Sequence, residues 1–144
     1  MTNELMGLED FDTSPGSEEG ATMEVRSPKD GTVLRWPDGR PWTVTYFGSD
    51  SQRVVDFSRK IADSRAELFR RNLGTISATS IANDELELLV VATKGWDIPL
   101  KDGSPAENAS NEFREAYKKY RWLREQGEAF CGTRGNFLKG TPKP

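Results

Sequence analysis

One short segment near the middle of the chain constrains the fold more than any other. Leu86 to Ala92 read Leu-Glu-Leu-Leu-Val-Val-Ala and form the most apolar run in the sequence. The chain has 144 residues, enough for one modest domain, and this run has to be buried inside it. We therefore expect a helix over Asn83 to Lys94 to be the central core element, with Lys94 and Gly95 suited to a helix carboxyl end.

The segment before this helix has the alternation that is typical of β-strands. Short β-compatible stretches at 22–27, 32–36 and 42–47 are separated by Pro-Lys-Asp-Gly and Pro-Asp-Gly turn sequences. In the last stretch Trp42, Val44 and Tyr46 share one face. The pattern predicts a three-stranded antiparallel β-meander over residues 21–48, and so small a sheet has to pack on something else.

Helix signals follow the predicted sheet. Ser49 can cap a helix that begins at Asp50, and Gly74 would end it. The helical stretch after Ser104 has a break near 119–121. Gly127, beyond this break, would let another backbone approach closely. Together these signals predict an α+β fold, mainly helical, in which the β-meander packs on a bundle of about four helices.

The segment from Trp96 to Glu107 combines a large aromatic ring, a turn and a helix start. Trp96 follows the apolar helix directly and is expected to fold back onto the core. Asp102 and Gly103 are typical of a tight turn. Ser104 as a cap, proline after it and Glu107 at the third helical position are typical of a helix start. We interpret these residues as architectural.

Charge is distributed unevenly along the chain. Residues 1–20 contain six carboxylates, whereas all 20 basic side chains lie in the rest of the sequence. The net charge of −3 therefore combines an acidic extension with a weakly basic body. We expect residues 1–20 to be disordered, because they are too polar to bury much surface, and residues 21–140 to form a single domain, with its helical part over 49–140 and a short tail over 141–144.

The composition argues against catalysis. The chain has no histidine, the residue best suited to proton transfer near neutral pH. Its single cysteine, Cys131, has no partner for a disulfide or a thiolate metal cage, so we interpret it as an apolar filler on a helix. The sequence has neither a glycine-rich phosphate cradle nor clustered metal-binding carboxylates. We expect a protein that is not an enzyme and that uses no cofactor and no metal.

Neither a membrane nor a nucleic acid is the expected partner. No stretch approaches the roughly 20 apolar residues of a membrane helix, and the acidic start lacks the features of a signal peptide. We therefore expect a soluble protein of the cytoplasm. Basic residues do interleave with aromatic ones near the carboxyl end, but glutamates share the same helices, which makes nucleic-acid binding the weaker interpretation. The basic residues concerned are Lys118, Lys119, Arg121, Arg124 and Arg134.

Between Trp42 and Leu138 the order of short motifs resembles that of the tail assembly chaperones of long-tailed bacteriophages and prophages. The stretch covers about two thirds of the chain. Two features depart from the usual pattern, namely the acidic extension and the glycine directly before Ser104, where an aromatic residue is common. The matching pieces are, in order, Gly48-Ser49-Asp50-Ser51, Gly95-Trp96, Asp102-Gly103, Ser104 to Asn108, Tyr117, Arg124-Glu125-Gln126 and Asn136-Phe137-Leu138.

The resemblance implies a role in virion assembly. Such chaperones bind the long, helical tape measure protein, keep it soluble in the host cell cytoplasm, and leave as the tail tube protein polymerises around it. An apolar groove or stripe rimmed by charges would suit this task. The candidate partner contacts are Trp122, Phe130, Phe137 and Leu138, and core packing is the alternative for each.

Two other classes of protein stay open at this point. A structural virion component, such as a connector or tail-completion protein, would share the small mixed fold and would be present in purified particles. A nucleic-acid-binding regulator would bind DNA with a steep dependence on salt. Self-association around an elongated client is open as well. The chaperone hypothesis depends on the expectation that the aromatic side chains of the carboxy-terminal half exceed what the fold can cover.

Overall fold

The computed structural model describes residues 7–138, so the predicted tail over 141–144 lies outside the described residues. The fold is α+β, as predicted, with an antiparallel sheet packed against helices. The strands are β1 (Ala21–Glu24), β2 (Thr43–Tyr46) and β3 (Thr93–Asp97). The helices are α1 (Ser14–Glu19), α2 (Gln52–Arg71), α3 (Ala78–Ala92), α4 (Ser110–Lys119) and α5 (Arg121–Cys131), and two 3-10 turns span Leu8–Phe11 and Arg134–Phe137.

The apolar run is the core element that the sequence predicts. Four of its residues are buried, and α3 packs against α2, α4 and α5. At the centre of the core the hydroxyl of Tyr117 lies 3.0 Å from that of Tyr46 and 2.8 Å from that of Thr93. Because the three hydroxyls hydrogen-bond one another, each of them is buried with a partner. The buried residues of the run are Leu86, Leu89, Val90 and Ala92.

The sheet differs from the predicted meander in its third strand. β2 is central and pairs antiparallel with β1 on one side and with β3 on the other. The predicted strand over 32–36 lies in the connecting segment between β1 and β2. In this segment the amide of Leu34 donates to the carbonyl of Val25. The prediction of a meander confined to residues 21–48 is therefore wrong, because β2 takes its second neighbour from the segment after α3.

The predicted helix over residues 83–94 is correct in its centre and wrong at both ends. α3 begins at Ala78 behind Ser77, whose side chain accepts from the amide of Ser80. It stops at Ala92, and Thr93 to Asp97 continue as β3 with Trp96 opposite Val44. Because Val44 is fully buried, the backbone groups of β2 need a partner other than water, and β3 supplies it.

The predicted start of the first long helix is displaced by one serine. Ser51, not Ser49, is the cap, since its side chain accepts from the amide of Val54 at 3.3 Å. The helix then runs to Arg71, and Gly74 follows in a left-handed conformation with φ of 91°. Its amide donates to the carbonyl of Phe69, so Gly74 closes the helix end as the sequence predicts.

The turn at Asp102 and Gly103 forms as predicted, but the helix start after it does not. Gly103 has a φ of 87° and donates to the carbonyl of Leu100. The hydroxyl of Ser104 donates to the carboxylate of Asp102 at 2.6 Å, so Ser104 stabilises this turn. α4 begins only at Ser110, because the residue after Ser104 pairs with Pro99 in an isolated β-bridge.

The prediction of a disordered segment over residues 1–20 is wrong for its described part. The carbonyl of Ser17 accepts from the amide of Gly48, and Ser17 itself is buried. A Cβ on Gly16 would come within 1.7 Å of the carbonyl oxygen of Phe137. Small residues therefore let this polar segment lie directly on the backbone of its neighbours, and it packs tightly without a large apolar face.

Candidate functional site

The four predicted partner contacts do not form an exposed stripe. Phe137 is 2% exposed and belongs to the core, because the amino-terminal segment covers it. Phe130 is half-buried, with its ring centre 5.9 Å from that of Tyr46 and 5.7 Å from that of Phe137. Trp122 and Leu138 are half-buried too. The expectation that these side chains exceed what the fold can cover is wrong for Phe137, and none of the four projects freely into solvent.

Trp96 lies in the core, as the sequence predicts, although it lies in a strand. Its ring meets that of Phe113 edge to face at 4.5 Å between centres. The indole N–H donates to the carbonyl of Glu107 and to the carboxylate of Glu112. Glu107 therefore contributes through its backbone and does not act as a capping residue of a helix that starts at Ser104. These contacts are structural and present no reactive group.

An apolar cavity of about 260 Å³ opens between α2, α3 and α5. Val54 of α2, Leu88 and Leu89 of α3, and Cys131 of α5 contribute its walls. The remaining lining residues are Phe47, Ser49, Glu85, Ala92, Glu128 and Gly132. The cavity is thus apolar inside and has two carboxylates among the residues that line it.

A second depression of about 280 Å³ shares Glu85 and Leu88 with the first. It continues along the seam between α2 and α3, and its other lining residues are Ser58, Ile61, Ala62, Arg65 and Asp84. We call the two depressions together the α3 trough. From Ala92 to Asp84 the trough follows α3 for about 12 Å, or about two helical turns.

The charges around the α3 trough are unequally matched. Arg124 lies 4.0 Å from Glu85 and 3.5 Å from Glu128, so two carboxylates share one guanidinium. Farther along, Arg65 pairs with Asp84 at 3.1 Å, which leaves no excess charge there. At the α5 end these two carboxylates therefore outnumber the guanidinium that pairs with them, whereas two cations, Arg53 and Lys94, lie over the ring of Phe47 on the same cavity, at 4.9 and 5.6 Å from its centre.

Cys131 adds to the apolar character of the trough. Burial raises the pKa of its thiol to about 12, and the neighbouring Glu128 carboxylate acts in the same direction. The thiol is therefore protonated at neutral pH and lacks the thiolate that a nucleophile or a metal ligand requires. The structure agrees with the interpretation of Cys131 as an apolar filler on a helix.

Three further observations concern metal ligands, membrane-spanning helices and basic side chains. Within residues 7–138, no group of three or more histidine, cysteine or acidic side chains lies close enough to hold a metal ion. No helix in this range has both the length and the apolar character needed to cross a bilayer. Three of the basic residues near the carboxyl end are in ion pairs, Arg121 with Glu125, Arg124 with Glu128 and Arg134 with Asp50, which weakens the case for a nucleic-acid surface.

No protein-family model, curated protein or solved structure matches this chain. The α3 trough and the sequence motifs are therefore the observations that bear on function. The motifs did not indicate the trough. The one sequence feature that corresponds to the trough is the spacing of Glu85, Leu88 and Ala92. This spacing places one acidic and two apolar residues on one helical face.

Proposed function

We propose that the protein is a phage tail assembly chaperone that binds helical segments of the tape measure protein without catalysing a reaction. Binding would keep the tape measure protein soluble in the host cytoplasm until the tail tube protein takes its place. The α3 trough carries this proposal, because it is an apolar and partly open surface of a kind that accepts a helix. The order of motifs between Trp42 and Leu138 gives independent support.

The length of the trough suits a bound helix. An amphipathic helix inserts side chains three or four residues apart into a groove, and about two turns of α3 line the trough. Leu88 lies where the two depressions meet, so side chains of a bound helix would contact it from both sides. Carboxylates (Glu85 and Glu128) and cations (Arg53 and Lys94) both lie at the rim, which favours a helix with charged side chains of both signs beside its apolar face.

The small size of the trough also suits a partner that binds reversibly and is released when the tail tube forms. Two small depressions bury far less surface than a permanent interface of more than about 2,000 Å². Ion pairs at a partly exposed rim contribute little and weaken further with salt. Binding at one trough is therefore weak and reversible, and retention of a long client would require several copies of the chaperone.

The first test is co-expression with a helical fragment of a tape measure protein. We expect the wild-type protein to keep the fragment soluble and to be recovered with it in a pull-down. Leu88→Arg places a charge in the middle of the trough and should abolish both effects. Leu100→Arg, in the exposed turn before Ser104, is the matched control and should leave both unchanged.

Circular dichroism of each variant separates loss of binding from loss of folding. A wild-type protein that neither solubilises nor binds the fragment would contradict the chaperone proposal. If wild type and Leu88→Arg bind equally well, the client site lies elsewhere on the molecule. Purified virions that contain this chain in stoichiometric amounts would favour the alternative, a structural virion component.

A further inference from the structure

The exposed apolar side chains of the described residues are concentrated at two separate places. Leu8 and Phe11, in the first 3-10 turn, are 91% and 54% exposed. Phe69 and Leu73, at the carboxyl end of α2, are 53% and 96% exposed. Ile81 lies beyond the same end of α2, in the first turn of α3. The other exposed large apolar residues belong to neither place: Leu100 lies in a turn, and Tyr120 lies beside the half-buried Trp122. Contiguous exposed apolar groups mark interaction surfaces more often than single ones do.

The two places have opposite charge. In the first, which we call the amino-terminal patch, Leu8 and Phe11 alternate with Glu9, Asp10 and Asp12, and no basic residue lies between residues 7 and 13. We call the second the arm-tip patch. In it Phe69 and Leu73 flank Arg70 and Arg71, which share the single carboxylate of Glu67 at 3.2 and 3.0 Å. The arm-tip patch therefore has one positive charge in excess.

The two patches lie at opposite ends of α2. Thr13 hydrogen-bonds the carboxylate of Asp50, and Glu18 accepts from the amide of Gln52, so the amino-terminal patch is tied to the start of α2. The arm-tip patch lies at the other end of this helix, and a helix of 20 residues is about 30 Å long. The patches of one molecule therefore cannot meet each other.

Leu73 is unusual in a second respect. Its φ is 53°, in the left-handed region that residues with a Cβ rarely adopt. Leu73 is almost fully exposed, and its left-handed conformation belongs to the close of α2, where the amide of Gly74 donates to the carbonyl of Phe69. The end of the helix therefore fixes the position of this exposed leucine.

We propose that copies of this chain associate head to tail, with the arm-tip patch of one copy on the amino-terminal patch of the next. The contact would pair leucine and phenylalanine side chains and bring arginines against carboxylates. Because the two surfaces differ, a pair still has one free patch of each kind, one on each copy. Such a contact is heterologous and builds a ring or an open helical row of copies.

The first experiment measures mass by light scattering as the concentration of the full-length protein rises. We expect the wild-type mass to increase with concentration and the increase to shrink as salt is added. Leu73→Asn should stay monomeric, and it should fold at least as well, because asparagine tolerates the left-handed conformation. Leu100→Asn removes a comparably placed exposed leucine outside both patches and should behave as the wild type does.

A mixing experiment tests the direction of the contact. The double variant Leu8→Ser and Phe11→Ser lacks the amino-terminal patch, and Leu73→Asn lacks the arm-tip patch. Head-to-tail association predicts that each is monomeric alone and that the mixture forms pairs and nothing larger. A wild-type protein that is monomeric at every concentration, or a mixture without pairs, would overturn the proposal. No client is present in either experiment, so their outcome does not depend on the chaperone proposal.

Discussion

At the scale of single residues, a glycine of α5 makes room for a tyrosine of the core. Gly127 of α5 faces the hydroxyl of Tyr46, and a Cβ at this position would lie 2.3 Å from that oxygen. The sequence predicts a close approach at Gly127, but the group that approaches is a side chain and not a backbone. No local pattern could have identified Tyr46 as this neighbour, because the two residues belong to elements far apart in the chain.

We predict that Gly127→Ala destabilises the protein even though alanine favours helix by about 1 kcal/mol. The added methyl group has to displace the Tyr46 ring and the hydrogen bond of its hydroxyl to Tyr117. Overpacking of this kind costs about 1–3 kcal/mol, which exceeds the gain in helix propensity over most of that range. Urea unfolding, followed by circular dichroism, measures the change in the free energy of unfolding.

Tyr46→Phe provides the control for this prediction. It removes the oxygen nearest to Gly127, while Tyr117 keeps its hydrogen bond to Thr93. In the Tyr46→Phe background, Gly127→Ala should therefore cost clearly less than in the wild type, which a double-mutant cycle detects. Equal costs in both backgrounds would show that the steric explanation is wrong.

At the scale of elements, the sequence predicts helices better than strands. The break between α4 and α5 occurs at Tyr120, within the expected range, because the local pattern changes there. β3 was missed, since Lys94 and Gly95 are as suitable for a helix end as for a strand. These residues form a strand and not a helix end because β2 requires a second hydrogen-bonding neighbour, and that requirement arises from tertiary packing.

The amino-terminal segment is a second element that local sequence does not predict. Its composition is that of a disordered chain, but it is held by Asp50, which bonds both Thr13 and Arg134. The hydrogen bond from Arg134 and then that from Thr13 lower the pKa of Asp50 below its ordinary value. A lowered pKa means that this stabilisation is present above the pKa of the unfolded chain and is lost as the pH falls.

We predict that Asp50→Asn loosens α1 without unfolding the protein. The substitution removes the charge that pairs with Arg134, so residues 13–20 should detach more often. At neutral pH, where the wild-type carboxylate is ionised, a glutamate-specific protease should cut after Glu18 or Glu19 faster in the variant. Asp30→Asn, in an exposed turn, should leave the cleavage rate unchanged, and an identical rate for Asp50→Asn would contradict the role of this carboxylate.

At the scale of the whole molecule, the described chain has a compact body and a projecting arm. Val54 is the one buried residue in α2, and in α3 the buried residues begin only at Leu86. The carboxyl half of α2 and the amino half of α3 therefore form an arm that depends mainly on its own contacts. The α3 trough begins on the body and extends onto the base of this arm.

We predict that the arm opens far more readily than the body. Amide hydrogen exchange should be fast over residues 62–82 and slowest in β2 and in the buried half of α3, because protection follows burial and packing. Peptide-level exchange monitored by mass spectrometry measures this difference. Equal protection along the whole of α2 would contradict the division into body and arm, and slower exchange in the arm at high protein concentration would accompany head-to-tail association.

The candidate site arises only at this scale. Leu88 and Cys131 lie on different helices, and their common cavity depends on how α2, α3 and α5 are placed around the core. The partner contacts predicted from the sequence were Trp122, Phe130, Phe137 and Leu138. Phe137 lies inside instead, since α1 covers it, and that cover was itself not predictable from the polar composition of the segment.

The contact between Gly16 and Phe137 has a consequence for how the protein is made. Residues 14–19 leave the ribosome long before Phe137 is synthesised, yet they pack on it. During translation this segment can contact residues 48–52, but the surface around Phe137 does not yet exist, and the acidic character of the segment keeps it hydrated in the meantime. Closure of the domain has to follow completion of its last turn, so a nascent chain that stalls before that turn would leave its leading segment incompletely attached.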